Sequence, residues 1–327
     1  MNKEEFVEMM EALPISASFI ETIAISQGFL VRKGSISPMD FLYAHCCQST
    51  GGTVSFNDMA AKIDAGTAVS VSRQAIAKKM GKASCTAFLK KILALCITGR
   101  IGRKGIDRLR NGGKFKRILV QDSTIIKLPA MLFQLYSGVS NASSSVCNAR
   151  VQCVYDMLSE SFISFDIDPY SINDLTAAPK LELQQGDLIL RDRGYLSAGE
   201  IERHLLSEAD CIFRYKQGMI LLDPVTGQRI DLLDHLKRLG QVDITVILND
   251  KAGTKVRIVA FPVSEELASI RRMKAKKENK KTPDTAYLEM LSWSVFITTI
   301  SGQTAGYDFI YKAYCIRWRI EMVFYAK

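Results

Sequence analysis

The sequence has few of the residues from which zinc sites and disulfide frameworks are built. It contains three histidines, and its eight cysteines include no pair with C-x-x-C spacing. His45 beside Cys46 could form part of a ligand cluster, but a segment of ordinary helix or loop explains the pair better. The scattered cysteines therefore indicate free thiols and a reducing compartment.

Long apolar runs are also missing. None reaches the roughly 18 residues of a membrane-spanning helix, and the N-terminus, MNKEEFVEMM, is acidic where a secretory signal would be basic. These two absences predict a cytoplasmic protein with no membrane partner. With 327 residues, of which 47% are apolar, the chain can bury a catalytic core and one or two smaller modules.

Acidic residues are scarce between residues 78 and 117, where Asp107 is the one acid among 13 lysines and arginines. The whole chain carries a net charge of +9. A solvated basic face accounts for many such runs, but so one-sided an imbalance favours contact with phosphates. The charge predicts a polyanionic partner without identifying it.

Residues 1–110 have the apolar spacing of helices, and we interpret them as one helical domain. Segments 54–63 and 71–80 form two short helical patterns, and Ser72 can cap the second. The pair fits a helix-turn-helix, although any small helical bundle gives the same pattern. The candidate DNA-binding residues of the second helix are Arg73, Lys78 and Lys79.

Residues 111–327 change to strand patterns, which predict a mixed α/β sheet. The expected strands lie at 118–120, 149–155, 162–167, 187–190 and 211–215, and the expected helices at 171–183, 197–206 and 305–327. Residues 218–300 alternate repeatedly, at 230–233, 242–248 and 256–261, and carry a basic run at 271–277. They predict a β-rich insertion with a basic, mobile segment before the final helix.

Two aspartates follow the predicted central strands. Asp122 comes after the run 118–120, and Asp192 comes after 187–190. An aspartate after a strand often caps a turn, so either residue alone would carry little weight. Two of them at the carboxyl ends of neighbouring strands would repel each other unless a cation lay between them. The pair therefore predicts a cation-binding site at that edge of the sheet.

The final helix supplies the third element. Spacings of three and four residues place Tyr314, Arg317 and Glu321 on one face, which could be an ordinary surface stripe. Apolar residues beside that face would dock the helix on the sheet and bring the polar face near the strand ends. His204, on the helix after Asp192, is expected at the surface.

In this order, the motifs Asp122-Ser-Thr, Asp192-Arg-Gly-Tyr and Tyr314-x-x-Arg317-x-x-x-Glu321 resemble those of the DDE transposases of bacterial insertion sequences. The resemblance is to the IS-four type, whose signature is tyrosine, arginine, glutamate and lysine, and it covers roughly residues 50–327. It implies an RNase H-like core in which Asp122, Asp192 and Glu321 hold the metal.

The implied chemistry is cleavage and strand transfer of double-stranded DNA at inverted-repeat ends, with Mg²⁺ or Mn²⁺ as two bound ions. All-oxygen ligands select these ions over zinc, and two metals neutralise charge on phosphorus while activating water or a 3′-hydroxyl. Arg317, Tyr314 and Arg193 would contact the DNA backbone near the cut. The resemblance also implies a homodimer on paired DNA ends, DNA binding by residues 1–110, and a target DNA.

Two features leave alternatives open. Some relatives flip a base onto a tryptophan of the insertion and cut through a DNA hairpin; Trp293 is the matching candidate, and a core tryptophan explains it equally well. The family's lysine would fall one residue beyond Lys327, so the resemblance implies a truncated member. The alternatives are an inactive derivative that occupies element ends and inhibits transposition, and an unrelated basic nuclease.

Overall fold

The structure, a computed structural model, describes residues 1–13, 15–32, 34, 36–47, 55–67, 70–101, 114–138, 146–172, 181–278 and 283–325. The side chains of residues 97–101, 165 and 318–325 lie outside the described part. The chain divides into two compact units. One comprises Met1–Lys104, Glu160–Phe162 and Tyr325–Lys327, and the other comprises Gly105–Ser159 and Ile163–Phe324.

The first unit is helical. Its helices are α1 (Lys3–Ala12), α2 (Ala17–Ser26), α3 (Pro38–Cys46), α4 (Phe56–Gly66), α5 (Arg73–Met80) and α6 (Ala83–Ile101). Polar N-caps begin five of them, because the side chain of Asn2, Ser16, Ser37, Ser55 or Ser72 accepts a backbone N–H of the first turn. Phe6, Ile20, Phe41 and Phe88 are buried in the core between the helices.

The described part of the second unit is built on a nine-stranded sheet. The strands are β1 (Arg117–Lys127), β2 (Asn148–Asp156), β3 (Ser161–Pro169), β4 (Asp187–Arg191), β5 (Asp210–Arg214), β6 (Leu221–Leu222), β7 (Val242–Leu248), β8 (Lys255–Pro262) and β9 (Trp293–Thr298). Their order is β3-β2-β1-β4-β5-β9-β8-β7-β6. The pairs β1–β4 and β4–β5 are parallel. The expected mixed α/β sheet is therefore confirmed.

In the described residues, five α-helices accompany the sheet: α7 (Ala198–Leu206), α8 (Leu232–Leu239), α9 (Glu265–Glu278), α10 (Thr285–Met290) and α11 (Tyr307–Tyr325). The insertion contributes β6 to β9, and β9 pairs with β5, so its strands continue the central sheet. Among the described helices no single one is long and apolar enough to cross a membrane. Only α1 and α2 together reach that length, with a bend of 80° between them.

One expectation for the insertion is wrong. Residues 230–233 are not a strand, because Asp231 caps helix α8 and the buried Leu232 and Leu236 lie one turn apart on its inner face. The basic run at 271–277 lies in helix α9, where Arg271 donates to the carbonyl oxygens of Leu291 and Trp293. The described part of the insertion is thus a mixed α/β layer. The helix expected at 171–183 falls largely on residues outside the described part.

Two further expectations need correction. Asp122 does not end its strand, because β1 continues to Lys127 in antiparallel pairing with β2. The pairing of β1 with β4 does stop at Gln121, one residue before it. His204 is fully buried rather than exposed, since Ile201 and His204 lie three residues apart on the inner face of α7.

Candidate active site

The two aspartates are brought side by side by the parallel pairing of β1 and β4. Gln121 lies opposite Arg191 in the register, so Asp122 and Asp192 are the next residues in step. Side chains alternate between the faces of a strand, and both carboxylates therefore point to the face opposite Gln121 and Arg191. Asp122 is 13% exposed and Asp192 is 39% exposed, which leaves the pair at the border between core and solvent.

A single guanidinium reaches both carboxylates. One terminal nitrogen of Arg317 lies 3.7 Å from Oδ1 of Asp122, and the other lies 4.0 Å from Oδ1 of Asp192. The arginine side chain is only 2% exposed, so its charge acts in a medium of low dielectric constant. A positive group thus stands between two carboxylates that would otherwise repel each other.

Tyr314 completes this contact from one turn earlier in α11. Its hydroxyl donates to Oδ1 of Asp192 at 3.3 Å, and the guanidinium of Arg317 lies 4.9 Å from the centre of its ring. Burial raises the pKa of the Tyr314 phenol well above its ordinary value, with the nearby Arg317 opposing the shift. The phenol therefore stays protonated at neutral pH and keeps donating to the carboxylate.

In the part of the chain that the structure describes, the other predicted site residues of the sheet unit are not seen in contact with Asp122 and Asp192. Glu321 lies four residues beyond Arg317 in α11, and its side chain is outside the described part. Arg193 follows Asp192 directly and is exposed. Trp293 starts β9 and is partly buried, with its indole N–H donated to the carbonyl oxygen of Gly240 at 2.8 Å.

The candidate DNA-binding residues of the helical unit lie on α5. Arg73 and Lys78 are exposed, and Ile76 anchors the helix in the core. Lys79 is half-buried, with its ammonium 4.4 Å from the centre of the Phe29 ring. Desolvation by burial and the neighbouring Lys82 lower the pKa of Lys79.

Sequence reasoning missed a buried polar cluster behind Asp192. Arg191, the last residue of β4, donates to Glu200 of α7, and Arg203 donates to the same carboxylate at 2.5 Å. The ring of His204 accompanies them, with Nδ1 2.7 Å from the carbonyl oxygen of Glu200. The Arg191–Glu200 contact closes the loop that carries Asp192 and so fixes where that loop begins and ends.

A second missed residue holds the start of α11. Arg257 of β8 makes two hydrogen bonds of 2.7 Å to the carboxylate of Asp243 on β7. Its remaining nitrogen donates to the carbonyl oxygen of Ala305, also at 2.7 Å. Because α11 begins two residues later, this arginine couples the insertion to the helix that carries Tyr314 and Arg317. Its only sequence signal was a charge inside an otherwise apolar strand.

The donor set suits a hard divalent cation. The side chains of Asp122 and Asp192 offer carboxylate oxygens, which hard divalent cations prefer as ligands. The guanidinium between them marks a place where positive charge is already stabilised. Among the side chains that the structure describes, no three His, Cys, Asp or Glu residues gather closely enough to hold a metal ion. Asp122 and Asp192 therefore fit as two ligands of a site that needs a further carboxylate.

Comparison with known proteins agrees with this chemistry. The transposase of insertion sequence IS231F from Bacillus thuringiensis subsp. israelensis is 24% identical, over 98% of this chain and 72% of the relative. The transposase of IS1151 from Clostridium perfringens is 25% identical, over 93% of this chain and 69% of the relative. The chain thus spans about 70% of the length of these relatives.

A solved structure, the synaptic complex of piggyBac transposase with hairpin DNA, aligns with 94% of this chain and 57% of that one. The sequence identity is 9% and the TM-score is 0.33. The profile of the family described as Transposase DDE domain matches residues 113–326. That match covers more than half of the chain and includes Asp122, Asp192 and Glu321. The protein therefore belongs to the DDE transposase family, whose members cut and join DNA with the help of divalent metal ions.

Proposed function

We propose that this chain cuts double-stranded DNA at the inverted-repeat ends of an insertion sequence and joins those ends to a target DNA. The observation that carries the proposal is the convergence of Asp122 and Asp192 on Arg317 at one face of the sheet. The helix that supplies Arg317 also carries Glu321, which we propose as the third carboxylate. The reaction would take place in the cytoplasm, where a bacterial chromosome lies.

Asp122, Asp192 and Glu321 would hold two Mg²⁺ or Mn²⁺ ions. When bound, such ions neutralise charge on the phosphoryl group and activate water or a 3′-hydroxyl as nucleophile. The chain's own residues orient the carboxylates. Tyr314 donates to Asp192, and the guanidinium of Arg317 lies between the two aspartates.

Arg317 would also contact a DNA phosphate near the cut, because a guanidinium binds phosphate with paired, charge-assisted hydrogen bonds. Arg193, exposed beside Asp192, would grip the same backbone. Trp293 remains the candidate for stacking a flipped base. That role requires its partly buried ring to leave the hydrogen bond to Gly240.

Residues 1–110 would bind the element ends through Arg73, Lys78 and Lys79 of α5, and residues 111–327 would act as the catalytic domain. The charge distribution supports this division, because thirteen lysines and arginines accompany one acid between residues 78 and 117. Two copies would pair on two DNA ends, since both ends of an element must be brought together before they are joined to one target DNA.

The test is a nicking assay with a supercoiled plasmid carrying the DNA that flanks the reading frame on both sides. Wild-type protein should nick it when Mg²⁺ is added and not in EDTA. Asp122→Asn and Asp192→Asn should abolish nicking and keep DNA binding, whereas Asp308→Asn, an exposed aspartate of the same helix as Arg317, should nick normally. Specific binding by wild-type protein without nicking would overturn the proposal in favour of an inactive derivative that occupies element ends.

A further inference from the structure

The pair of helices α4 and α5 has a defined relative geometry. Asp64 of α4 accepts the backbone N–H of Val71 at 2.9 Å, which ties the connection back onto the first helix. The side chain of Ser72 then caps α5 by accepting the N–H of Ala75. Met59 and Ile63 of α4 and Ile76 of α5 are buried in the same core, so the remaining faces of the pair are turned outward.

A groove of about 500 Å³ runs between the starts of the two helices. Its lining consists of Ser55, Phe56, Asn57, Arg73, Gln74 and Ala77. Asn57, Arg73 and Gln74 are exposed, Phe56 is 41% exposed, and the small Ala77 leaves the groove open. None of these described lining residues is acidic.

These residue types match the edges of DNA bases. Asparagine and glutamine make paired hydrogen bonds to adenine, arginine makes them to guanine, and phenylalanine can contact the methyl group of thymine. In a helix-turn-helix, the N-terminal residues of the second helix read the bases in the major groove. Arg73 and Gln74 are the first two residues of α5.

The other side of α5 has a different character. A second groove, of about 550 Å³, is lined by Gly34, Ile36, Ser70, Val71, Ser72, Ala75, Lys78, Lys79 and Lys82. The lining residues that the structure describes include three lysines and no acid, as expected of a surface that follows a phosphate backbone. The same helix thus separates a groove lined by Asn57, Arg73 and Gln74 from a groove lined by three lysines.

We infer that α5 is a recognition helix, with Asn57, Arg73 and Gln74 reading base edges in the major groove while Lys78, Lys79 and Lys82 hold the adjacent phosphates. The inference rests on the proposed function and deepens it, because it separates the residues that determine which DNA is bound from those that determine how tightly. Asn57, Arg73 and Gln74 are then specificity-determining residues.

The test is selection of binding sites from a library of random 25-base-pair duplexes with the full chain, followed by binding measurements at several salt concentrations. Wild-type protein should enrich one motif. Arg73→Ala and Gln74→Ala should each weaken binding to that motif about 5- to 150-fold and relax the preference at one or two positions. Lys78→Ala and Lys82→Ala should select the same motif, bind all duplexes more weakly, and lower the salt dependence by about one ion each.

Arg32→Ala is the matched control, since Arg32 is an exposed arginine of the same unit that lines neither groove. Circular dichroism of each variant establishes that the helices are intact. The inference is overturned if Arg73→Ala and Gln74→Ala enrich the wild-type motif with wild-type affinity, or if wild-type protein enriches no motif. Either result can occur with Mg²⁺-dependent nicking intact, so it is distinguishable from failure of the proposed catalytic function.

Discussion

Two buried arginines lie on opposite faces of the same pair of strands, and they differ in how they meet their carboxylates. Arg191, 4% exposed, is in direct hydrogen-bonded contact with Glu200 on the α7 face. Arg317, 2% exposed, lies 3.7 Å and 4.0 Å from Asp122 and Asp192 on the other face. Both strands contribute one residue to each face, because Gln121 and Arg191 alternate with the two aspartates.

We propose that this difference separates an arginine that stabilises the fold from one that takes part in the reaction. A direct buried pair is costly to break, because the group left behind keeps its charge without a partner. The two ion pairs of Arg317 are longer than hydrogen bonds, so this guanidinium offsets the repulsion between Asp122 and Asp192 without a direct hydrogen bond to either in these pairs. The loop that carries Asp192 is thus held to α7 by the Arg191–Glu200 contact on one face of the sheet, and its aspartate lies on the other. We call the face with Arg191 and Glu200 the stapled face, and the face with Asp122 and Asp192 the reactive face. The comparison predicts that mutations on the two faces affect different measurements.

The largest effect on stability is expected from Glu200→Leu. This change leaves the guanidinium of Arg191 buried without its carboxylate, which should lower the free energy of unfolding by about 3–5 kcal/mol in urea denaturation. The double variant Glu200→Leu with Arg191→Met removes both charges and should recover most of that loss. A Glu200→Leu protein within about 1 kcal/mol of wild type would show that the pair does not staple the loop.

Arg317→Gln tests the other face. Loss of the positive charge between Asp122 and Asp192 should lower DNA cleavage about 10²- to 10³-fold, equivalent to about 2.7–4 kcal/mol of transition-state stabilisation. The free energy of unfolding should fall less than in Glu200→Leu, as measured in urea. Lys312→Gln, an exposed change on the same helix, is the control and should cleave normally. Wild-type cleavage by Arg317→Gln would remove the distinction between the two arginines.

The reactive face could be predicted from sequence because its residues form compact local motifs. Asp122 and Asp192 each follow an apolar strand, and Tyr314 and Arg317 share one helical face by spacing alone. The parallel register that brings the aspartates together also followed from the expected α/β order. Only the extent of β1 was misjudged, because its pairing with β2 carries it past Asp122.

The stapled face could not be predicted, since its contacts depend on packing. Arg191 and Glu200 are nine residues apart and meet only after α7 docks on the sheet. His204 was expected at the surface because histidine counts as polar in a periodicity argument, whereas here it fills the position that a leucine would occupy. In α8, the alternation at 230–233 suggested a strand, and the Asp231 cap decided for a helix.

His204 gives the stapled face a pH dependence. Burial lowers its pKa from 6.5 to about 4, with Arg191 and Arg203 assisting and contacts to Glu200 opposing the shift. Because the folded protein disfavours the charged ring, this contribution to stability is complete above pH 6.5 and is lost as the pH falls from 6.5 to 4. The loss should reach about 3 kcal/mol near pH 4.

Urea denaturation of wild type and His204→Gln at several pH values between 7 and 4 measures this effect. The difference in unfolding free energy between the two proteins should change steadily over that window, to the disadvantage of wild type at low pH. Equal pH dependence of both proteins would contradict it. Asp122 and Asp192 lie on the opposite face, so the Mg²⁺ concentration needed for cleavage should be the same in both proteins at pH 7.5.

The smallest expected effect sharpens the comparison at Trp293, where the structure supports a role in the fold and the resemblance implies a role in the reaction. Trp293→Phe removes the hydrogen bond to Gly240 and keeps an aromatic ring against the same core, so the free energy of unfolding should fall by about 1 kcal/mol.

If the indole only joins β9 to the end of α8, cleavage should remain within about twofold of wild type, a change worth less than about 0.5 kcal/mol. If it also stacks a flipped base, cleavage should fall well beyond that at unchanged stability, since base–aromatic stacking contributes about 1–3 kcal/mol. Cleavage and urea denaturation measured on the same preparation therefore show whether Trp293 serves the fold alone or also the reaction.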